Sequence, residues 1–330
     1  MNDVCRLMII DVAEEHEAVN RDPETAQSFG YVVIHLTPHA PSSHDGMDKR
    51  GNMSNFWQYS SNNGFDLTRQ NNHQTCSSIC FETTTTPITI DSTRSALVII
   101  DMQNFFLHPT VRSHETGLAA SQQLFKYAIP AARKAGIQII WLNWGLTQED
   151  IDQAPPALKR VFNRIDESKN VPTTLNKIYK GLGTPMGKIT LPNGDHVDGG
   201  RLLMRDTWNA KLYDPLFQSY ESSQSTAKPD KLFHKNRTSG LWAHESPLLS
   251  YLHDNRLITL FFAGVNTDQC VSGTFQDAFN KGFDCILLRD GCGTTSPSFA
   301  QECIEYNCER GSGFIMTTEA FAKDIEASLC

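Results

Sequence analysis

The sequence places a cysteine, Cys270, where a predicted strand passes into a predicted helix. The apolar run 257–263 is typical of a buried parallel strand, and residues 270–281 predict the following helix. Unpaired backbone N–H groups and the positive end of the helix dipole at such a position favour a thiolate over a thiol. A thiolate beside N–H donors can attack a carbonyl carbon while the donors bind the developing oxyanion. The position therefore indicates acyl-transfer chemistry.

Two further residues, Asp101 and Lys235, are of types that assist such a nucleophile. Asp101 ends the apolar run 96–101, and Lys235 follows the short run 231–234. A carboxylate near a thiol can take its proton, and a nearby ammonium stabilises both negative charges. Each residue alone is more often structural. In parallel sheets, however, ligands bind outside the carboxyl ends of the strands, so we expect Asp101 and the turn before Cys270 to share one site.

The elements that must position these residues alternate between strands and helices from residue 95 onward. This alternation predicts an α/β fold in which helices cover both faces of a parallel sheet. Apolar residues at helical spacing over 119–135 predict a helix, and Gly136 predicts its end. The predicted strands are 96–101, 137–144, 231–234, 257–263, 285–288 and 313–316. The other predicted helices are 246–254, 270–281 and 318–328.

The first part of the chain differs in composition from the rest. Residues 36–94 are rich in Ser, Asn, Gln and Thr, with apolar islands at 56–59 and 65–67. We expect residues 1–94 to form a partly irregular N-terminal extension packed on the core, and residues 95–330 to form the main domain. An insertion at about 165–215 interrupts that domain, and Pro192-Asn193-Gly194-Asp195 predicts a hairpin turn within it.

Three segments resemble, in order and spacing, motifs of the isochorismatase-like cysteine hydrolases. They are Asp101-Met102-Gln103-Asn104-Phe105-Phe106, Lys235-Asn236-Arg237-Thr238-Ser239 and Gly264-Val265-Asn266-Thr267-Asp268-Gln269-Cys270-Val271. The resemblance covers about 95–328. Members of this family include nicotinamidases, N-carbamoylsarcosine amidohydrolases, ureidoacrylate and biuret amidohydrolases, and isochorismatases.

The resemblance implies a doubly wound, mostly parallel six-stranded sheet and a catalytic triad of Asp101, Lys235 and Cys270. It also implies a thioester intermediate on Cys270 and a cis peptide bond between Val265 and Asn266. That bond would direct the N–H of Asn266 beside the N–H of Cys270 to form the oxyanion hole. Relatives usually assemble as dimers or tetramers, so a homo-oligomer is expected.

The chain departs from some relatives in ways that bear on its chemistry. Metal-containing nicotinamidases carry an Asp and paired histidines after the second strand, whereas this chain has no histidine in 141–146. We therefore expect no metal ion and no cofactor. The presence of Cys270 favours hydrolysis of a C–N bond over that of a vinyl ether. Two alternatives stay open: vinyl-ether hydrolysis of the isochorismatase type, and a non-catalytic binding protein on the same fold.

Several polar and aromatic residues are candidates for contact with a small-molecule substrate. Core packing is an equal alternative for the aromatic ones. Gln103 is expected to orient Asp101, and Val265 to support the nucleophile turn. The histidines His108, His114 and His196 show no metal spacing and are expected on the surface or in loops. The candidate substrate-binding residues are Phe106, Asn143, Trp144 and Trp242.

Charge and cysteine content limit the class of protein. The chain has 330 residues and a net charge of −8, which argues against a nucleic acid or an anionic membrane as partner. No apolar run approaches the ~20 residues that span a bilayer, and the N-terminus does not resemble a signal peptide. Nine cysteines, an odd number without a ligand pattern, indicate reduced thiols and a cytoplasmic location.

Overall fold

Short strands and helices alternate through most of the described chain. The computed structural model describes residues 48–70, 77–162, 165–166, 171–172 and 181–328. The strands, in chain order, are β1 (Asp48–Gly51), β2 (Phe56–Ser60), β3 (Gly64–Asp66), β4 (Ser78–Phe81), β5 (Ile88–Asp91), β6 (Ser95–Ile100), β7 (Gln138–Trp144), β8 (Ile165–Asp166), β9 (Val171–Pro172), β10 (Lys188–Thr190), β11 (His196–Asp198), β12 (Lys231–Lys235), β13 (Thr259–Val265), β14 (Asp284–Gly293) and β15 (Phe314–Met316).

The helices lie mainly between the strands of the second half. The α-helices are Asn104–Leu107, Glu115–Gln123, Ile129–Lys134, Gln148–Asp152, Pro156–Phe162, Leu216–Ser223, Pro247–Asp254, Ser272–Asn280, Ser298–Asn307 and Thr318–Ser328. Three π-helical turns are Leu124–Ala128, Thr267–Val271 and Cys308–Ser312. Two 3₁₀ turns are Ser92–Arg94 and Trp208–Ala210.

A sheet of six parallel strands, in the order β12-β7-β6-β13-β14-β15, forms the centre of the protein. Strands β6, β7 and β13 are buried along their whole length. This is expected of a parallel sheet with helices on both faces. The predicted α/β fold with a doubly wound six-stranded sheet is therefore confirmed.

The helices differ from the sequence-based prediction in two ways: one predicted helix is divided, and several observed helices were not predicted. The predicted helix 119–135 is divided by the π turn Leu124–Ala128. Pro130, which follows this turn, has no N–H to donate, and its ring crowds the preceding turn. The helix Ser298–Asn307 was not predicted, because its large apolar residues Phe299 and Tyr306 are exposed and give no stripe facing the core.

A second sheet, with the order β1-β2-β3-β5-β4, is built from residues of the N-terminal extension. Both apolar islands of this region contact the main domain. The Trp57 and Phe65 rings lie 5.6 and 5.9 Å from the ring of Phe314 on β15, and Phe81 stacks on Phe321. Residues 1–47 lie outside the described residues, so the extent of the extension stays a prediction.

Asp284, at the start of β14, joins this second sheet to the central one. Its buried carboxylate forms an ion pair with the buried guanidinium of Arg69 and accepts a hydrogen bond of 2.7 Å from Trp57 Nε1. Thr259 Oγ1 donates to the same carboxylate over 2.8 Å. Because a buried charge is costly without partners, this cluster fixes where the second sheet lies.

The insertion contributes two short hairpins, β8 with β9 and β10 with β11. The predicted turn at 192–195 connects β10 to β11, so the hairpin prediction is confirmed; Gly194 has φ +88°. Residues 173–180 of the insertion lie outside the described residues. None of the described helices combines the length and the apolar character that a membrane span requires.

Replacing Arg69 by Met should lower the free energy of unfolding by about 3–5 kcal/mol, because it leaves the Asp284 charge buried without its cation. Denaturant titration of wild type and variant measures this difference. Arg50→Met is the matched control, since Arg50 and Asp48 form an exposed ion pair whose loss should cost about 1 kcal/mol or less. Equal losses in the two variants would contradict the role assigned to Asp284.

Candidate active site

Asp101, Lys235 and Cys270 lie together at the carboxyl edge of the central sheet. Asp101 follows β6, Lys235 ends β12, and Cys270 lies in the π turn after β13. Lys235 Nζ is 3.0 Å from Asp101 Oδ2, and the Cys270 thiol lies within hydrogen-bonding reach of the Asp101 carboxylate. All three side chains are buried. The fold thus brings one carboxylate, one ammonium and one thiol into a single desolvated cluster.

Asp101 has an unusual backbone conformation, with φ +55°. Its N–H donates to Leu142 O over 3.0 Å, and its Oδ1 accepts from Trp144 N over 3.1 Å. Aspartate is one of the few residues other than glycine that tolerates this left-handed region. The turn at Asp101 ends β6 and directs the carboxylate toward the end of β7.

Gln103 connects the end of β7 to the insertion. Its Oε1 accepts from Trp144 N over 3.0 Å, and its Nε2 donates to Trp144 O and Ala210 O over 2.8 and 2.6 Å. Trp144 N is therefore shared by Asp101 and Gln103. This geometry couples the amide of Gln103 to the position of the Asp101 carboxylate.

Lys235 is surrounded by groups that stabilise a positive charge. Besides Asp101, its Nζ donates to Arg237 O over 3.1 Å and lies 3.9 Å from the ring centroid of Trp144. Each contact is of a kind that favours an ammonium: a carboxylate, a carbonyl oxygen and the face of an aromatic ring.

The surroundings of Cys270 favour the protonated thiol, contrary to the expectation of a thiolate. Burial raises its pKa to about 12; Lys235 and the Trp144 indole lower it, while Asp101 raises it. Burial also raises the pKa of Asp101, and Lys235 opposes that rise. The expectation was wrong because it considered only the helix dipole, which lowers the pKa of a thiol, and not the loss of hydration on burial, which raises it. The helical turn also begins at Thr267, so Cys270 lies inside it.

The turn that carries Cys270 is held by hydrogen bonds from neighbouring side chains. The peptide bond between Val265 and Asn266 is cis. Asp268 accepts hydrogen bonds from Thr294 Oγ1 and Ser296 Oγ over 2.5 and 2.7 Å. These residues follow β14, so the turn is tied to the neighbouring strand.

His114 was expected on the surface or in a loop, and it lies in the loop just before the helix Glu115–Gln123. Its burial was not foreseen, and its Nε2 lies 2.7 Å from Asn266 Oδ1. The local sequence carried one usable signal, since a polar residue before Glu115 is a possible N-cap for the helix Glu115–Gln123.

The four predicted substrate-binding residues are placed differently from one another. Trp144 is fully buried and contacts Lys235. Asn143 is buried too, but consecutive strand residues face opposite sides, so it lies on the face opposite Trp144. Phe106 packs edge-on against Phe105. Trp242 is 51% exposed, and its Nε1 donates to Asn236 Oδ1 over 3.1 Å.

These positions leave the substrate contacts as predictions. Of the four residues, Trp144 lies against the cluster of Asp101, Lys235 and Cys270. Within the part of the chain that the structure describes, no group of three or more His, Cys, Asp or Glu side chains could hold a metal ion.

Comparison with known proteins identifies the family. The sequence model of the Isochorismatase domain matches residues 95–319, which is more than half of the 330-residue chain. The chain belongs to the isochorismatase family. This isochorismatase-family domain begins with β6 and includes all six strands of the central sheet. The resemblance stated from the sequence motifs is thereby confirmed.

Solved structures resemble this isochorismatase-family protein in fold. A cysteine hydrolase from Pseudomonas syringae pv. phaseolicola is 18% identical, with a TM-score of 0.53 over 72% of this chain and 95% of the other. An isochorismatase family protein from Desulfovibrio vulgaris is 19% identical, with a TM-score of 0.50 over 71% and 98% of the two chains. At such identities the likeness supports the shared fold.

The pKa of Cys270 leads to a prediction about thiol labelling. Near pH 7, iodoacetamide should modify the exposed Cys303 before Cys270, because a thiol with a pKa of about 12 contains very little thiolate. The labelling rate of Cys270 should rise about tenfold per pH unit as the pH increases toward that pKa. Peptide mass spectrometry after timed labelling measures both rates. Preferential labelling of Cys270 at mildly acidic pH would contradict the protonated resting state.

Proposed function

We propose that this protein hydrolyses a C–N bond of a small amide-like substrate through a thioester on Cys270. The observation that supports this most is the buried ion pair between Lys235 and Asp101, with the Cys270 thiol in reach of the same carboxylate. A carboxylate beside a thiol is placed to act as the general base that removes the thiol proton.

In the first half of the reaction, the sulfur of Cys270 bonds to the carbonyl carbon while its proton passes to Asp101. The resulting tetrahedral intermediate carries a negative oxygen. As the intermediate collapses, the C–N bond breaks, and Asp101 gives the proton to the leaving nitrogen. The products of this half are a free amine or ammonia and an acyl group on Cys270.

In the second half, water replaces the amine. The oxygen of a water molecule attacks the thioester carbon while Asp101 takes a proton from that water, and the C–S bond breaks. The proton then returns to the sulfur, which restores the thiol and the carboxylate. The net reaction converts an amide and water into an acid and an amine.

Lys235 makes the first proton transfer feasible in a buried site. The transfer moves one negative charge from Asp101 to the sulfur, and Lys235 stabilises the charge at both positions. The number of buried charges does not change, so the step creates no additional ion in the protein interior. This is why a protonated resting thiol is compatible with cysteine chemistry here.

The oxyanion of the tetrahedral intermediate needs hydrogen-bond donors that are already in place. We assign this role to the backbone N–H groups of Asn266 and Cys270. Two observations favour the assignment: both residues belong to the turn after β13, and that turn is fixed by Asp268 and its partners.

Turnover of a panel of small amides tests this function. Ammonia release from nicotinamide, N-carbamoyl amino acids, ureidoacrylate, biuret and maleamate would be compared between wild type and Cys270→Ala, with pyruvate release from isochorismate followed separately. Activity on one amide should be lost in Cys270→Ala, because the nucleophile is removed, and reduced about 10²–10⁴-fold in Asp101→Asn. Cys303→Ala is the control for loss of an exposed thiol and should keep full activity.

The same panel separates the alternatives. Pyruvate formed equally by wild type and Cys270→Ala, without ammonia from any amide, would favour vinyl-ether hydrolysis. No turnover of any compound by wild type would favour a binding protein.

A second prediction concerns the pH dependence of kcat/KM. Lys235 lowers the pKa of Asp101, which burial raises. In Lys235→Met, Asp101 should therefore stay protonated to higher pH, where it cannot accept the thiol proton, and the acidic limb of the profile should move to higher pH. Lys231→Met, a change in the same strand β12, is the control and should leave the limb in place. An unmoved limb in Lys235→Met would contradict Asp101 as the base.

A further inference from the structure

His114 connects the nucleophile turn to a separate helix through a buried hydrogen bond. It lies just before the helix Glu115–Gln123 and is distant in sequence from Asn266, whose Oδ1 is 2.7 Å from His114 Nε2. The ring is buried, so this bond does not compete with water. Capping the helix requires only the hydrogen bond from Gly117 N, so the bond to Asn266 is an additional interaction.

The two ring nitrogens have distinct roles. Gly117 N–H donates to Nδ1 over 3.0 Å, so Nδ1 is an acceptor and carries no proton. Nε2 therefore holds the proton in the neutral ring and donates it to Asn266 Oδ1. Burial lowers the pKa of His114, which keeps this neutral form at neutral pH. Because both nitrogens are engaged, the orientation of the ring is fixed.

The helix that supports His114 is firmly attached to the sheet. Gly293, at the end of β14, approaches the helix so closely that a Cβ atom there would lie 2.6 Å from Gly117 N. Thr116 Oγ1 donates to Thr294 O over 2.7 Å and accepts from Thr294 N over 3.0 Å. The helix that carries His114 is therefore held in a fixed position relative to β14.

Asn266 is held at three of its polar groups. His114 binds its Oδ1, Gln269 Oε1 accepts from its Nδ2 over 3.3 Å, and its backbone oxygen accepts from Gln269 N and Val271 N over 3.0 and 3.2 Å. The remaining polar group is its backbone N–H. In the proposed function this is the group that binds the oxyanion, and a small displacement of such a donor reduces its stabilisation of the transition state.

We infer that His114 is a positioning residue, which holds Asn266 so that its N–H points at the oxyanion formed during acyl transfer to Cys270. This inference rests on the proposed function. His114 touches neither the substrate nor the sulfur in this scheme, and it acts through the Asn266 side chain. Its removal should therefore slow acylation of Cys270 without changing the reactivity of the thiol itself.

Two reactions of Cys270 distinguish positioning from a general structural role. Acylation by p-nitrophenyl acetate passes through a tetrahedral oxyanion. Its rate is measured from the burst of p-nitrophenolate, with Cys270→Ala as the blank that lacks the nucleophile. Alkylation by iodoacetamide displaces iodide at a carbon without forming an oxyanion. A loosened turn would slow both reactions, whereas a misplaced N–H would slow only acylation.

The variant His114→Asn is suited to this comparison. Its shorter side chain can still accept from Gly117 N–H as an N-cap, but it should not reach Asn266. Asn266→Ala removes the receiving side chain and keeps the backbone N–H. We expect each variant to lower the acylation rate about tenfold or more, since loss of an entire oxyanion-hole donor costs about 10²–10³-fold. Alkylation should stay within about twofold of wild type, and the double variant should be no slower than the single ones.

Thr317→Ala is the control for loss of a helix cap elsewhere, because Thr317 Oγ1 accepts from Ala320 N over 3.1 Å. It should leave both reactions of Cys270 unchanged. The inference would be overturned, while the proposed function stands, by any of three results. These are equal slowing of acylation and alkylation in His114→Asn, acylation of His114→Asn at the wild-type rate, and rate losses that multiply in the double variant. If wild type released no more p-nitrophenolate in the burst phase than Cys270→Ala, the proposed function would be overturned, and the inference with it.

Discussion

An ammonium and a carboxylate that are both out of contact with water depend on each other to remain charged. Asp101 and Lys235 form such a pair, 3.0 Å apart, at the ends of β6 and β12, which β7 separates in the sheet. The pair can form only if β6 and β12 end at the same level, with Trp144 between them donating its N–H to Asp101 and placing its ring beside Lys235. Removing either charge would leave the other buried and unpaired, so the site and this edge of the fold stabilise each other.

The proposed chemistry follows from the same desolvation. Burial raises the pKa of Cys270 and favours the thiol, while Lys235 opposes the rise that burial causes in the pKa of Asp101. The scheme therefore needs a base in contact with the thiol and donors that are fixed before the reaction begins. Hydrogen bonds fix the turn after β13 in this way: His114 and Gln269 bind Asn266, and Thr294 binds Asp268.

The sheet was predictable because its strands are short, apolar and separated by helical segments. Asp101 and the turn before Cys270 were predictable as neighbours because parallel strands end at one edge. Interactions between distant segments were not: His114 and Asn266 are apart in sequence, and nothing local to His114 indicates its partner. The pKa of Cys270 was missed for a similar reason, since burial depends on all packed elements. The β-sheet within 48–91 was missed because its polar composition predicted an irregular arm.

Capture of the acyl-enzyme tests the proposed mechanism most directly. Wild-type protein would be mixed with the amide that it hydrolyses fastest, quenched in acid within one turnover, digested and analysed by mass spectrometry. The mechanism predicts an acyl group on the peptide that contains Cys270, and its disappearance at the rate of acid formation. Full turnover with Cys270 never acylated, or an acyl group found on another residue at the rate of turnover, would contradict it.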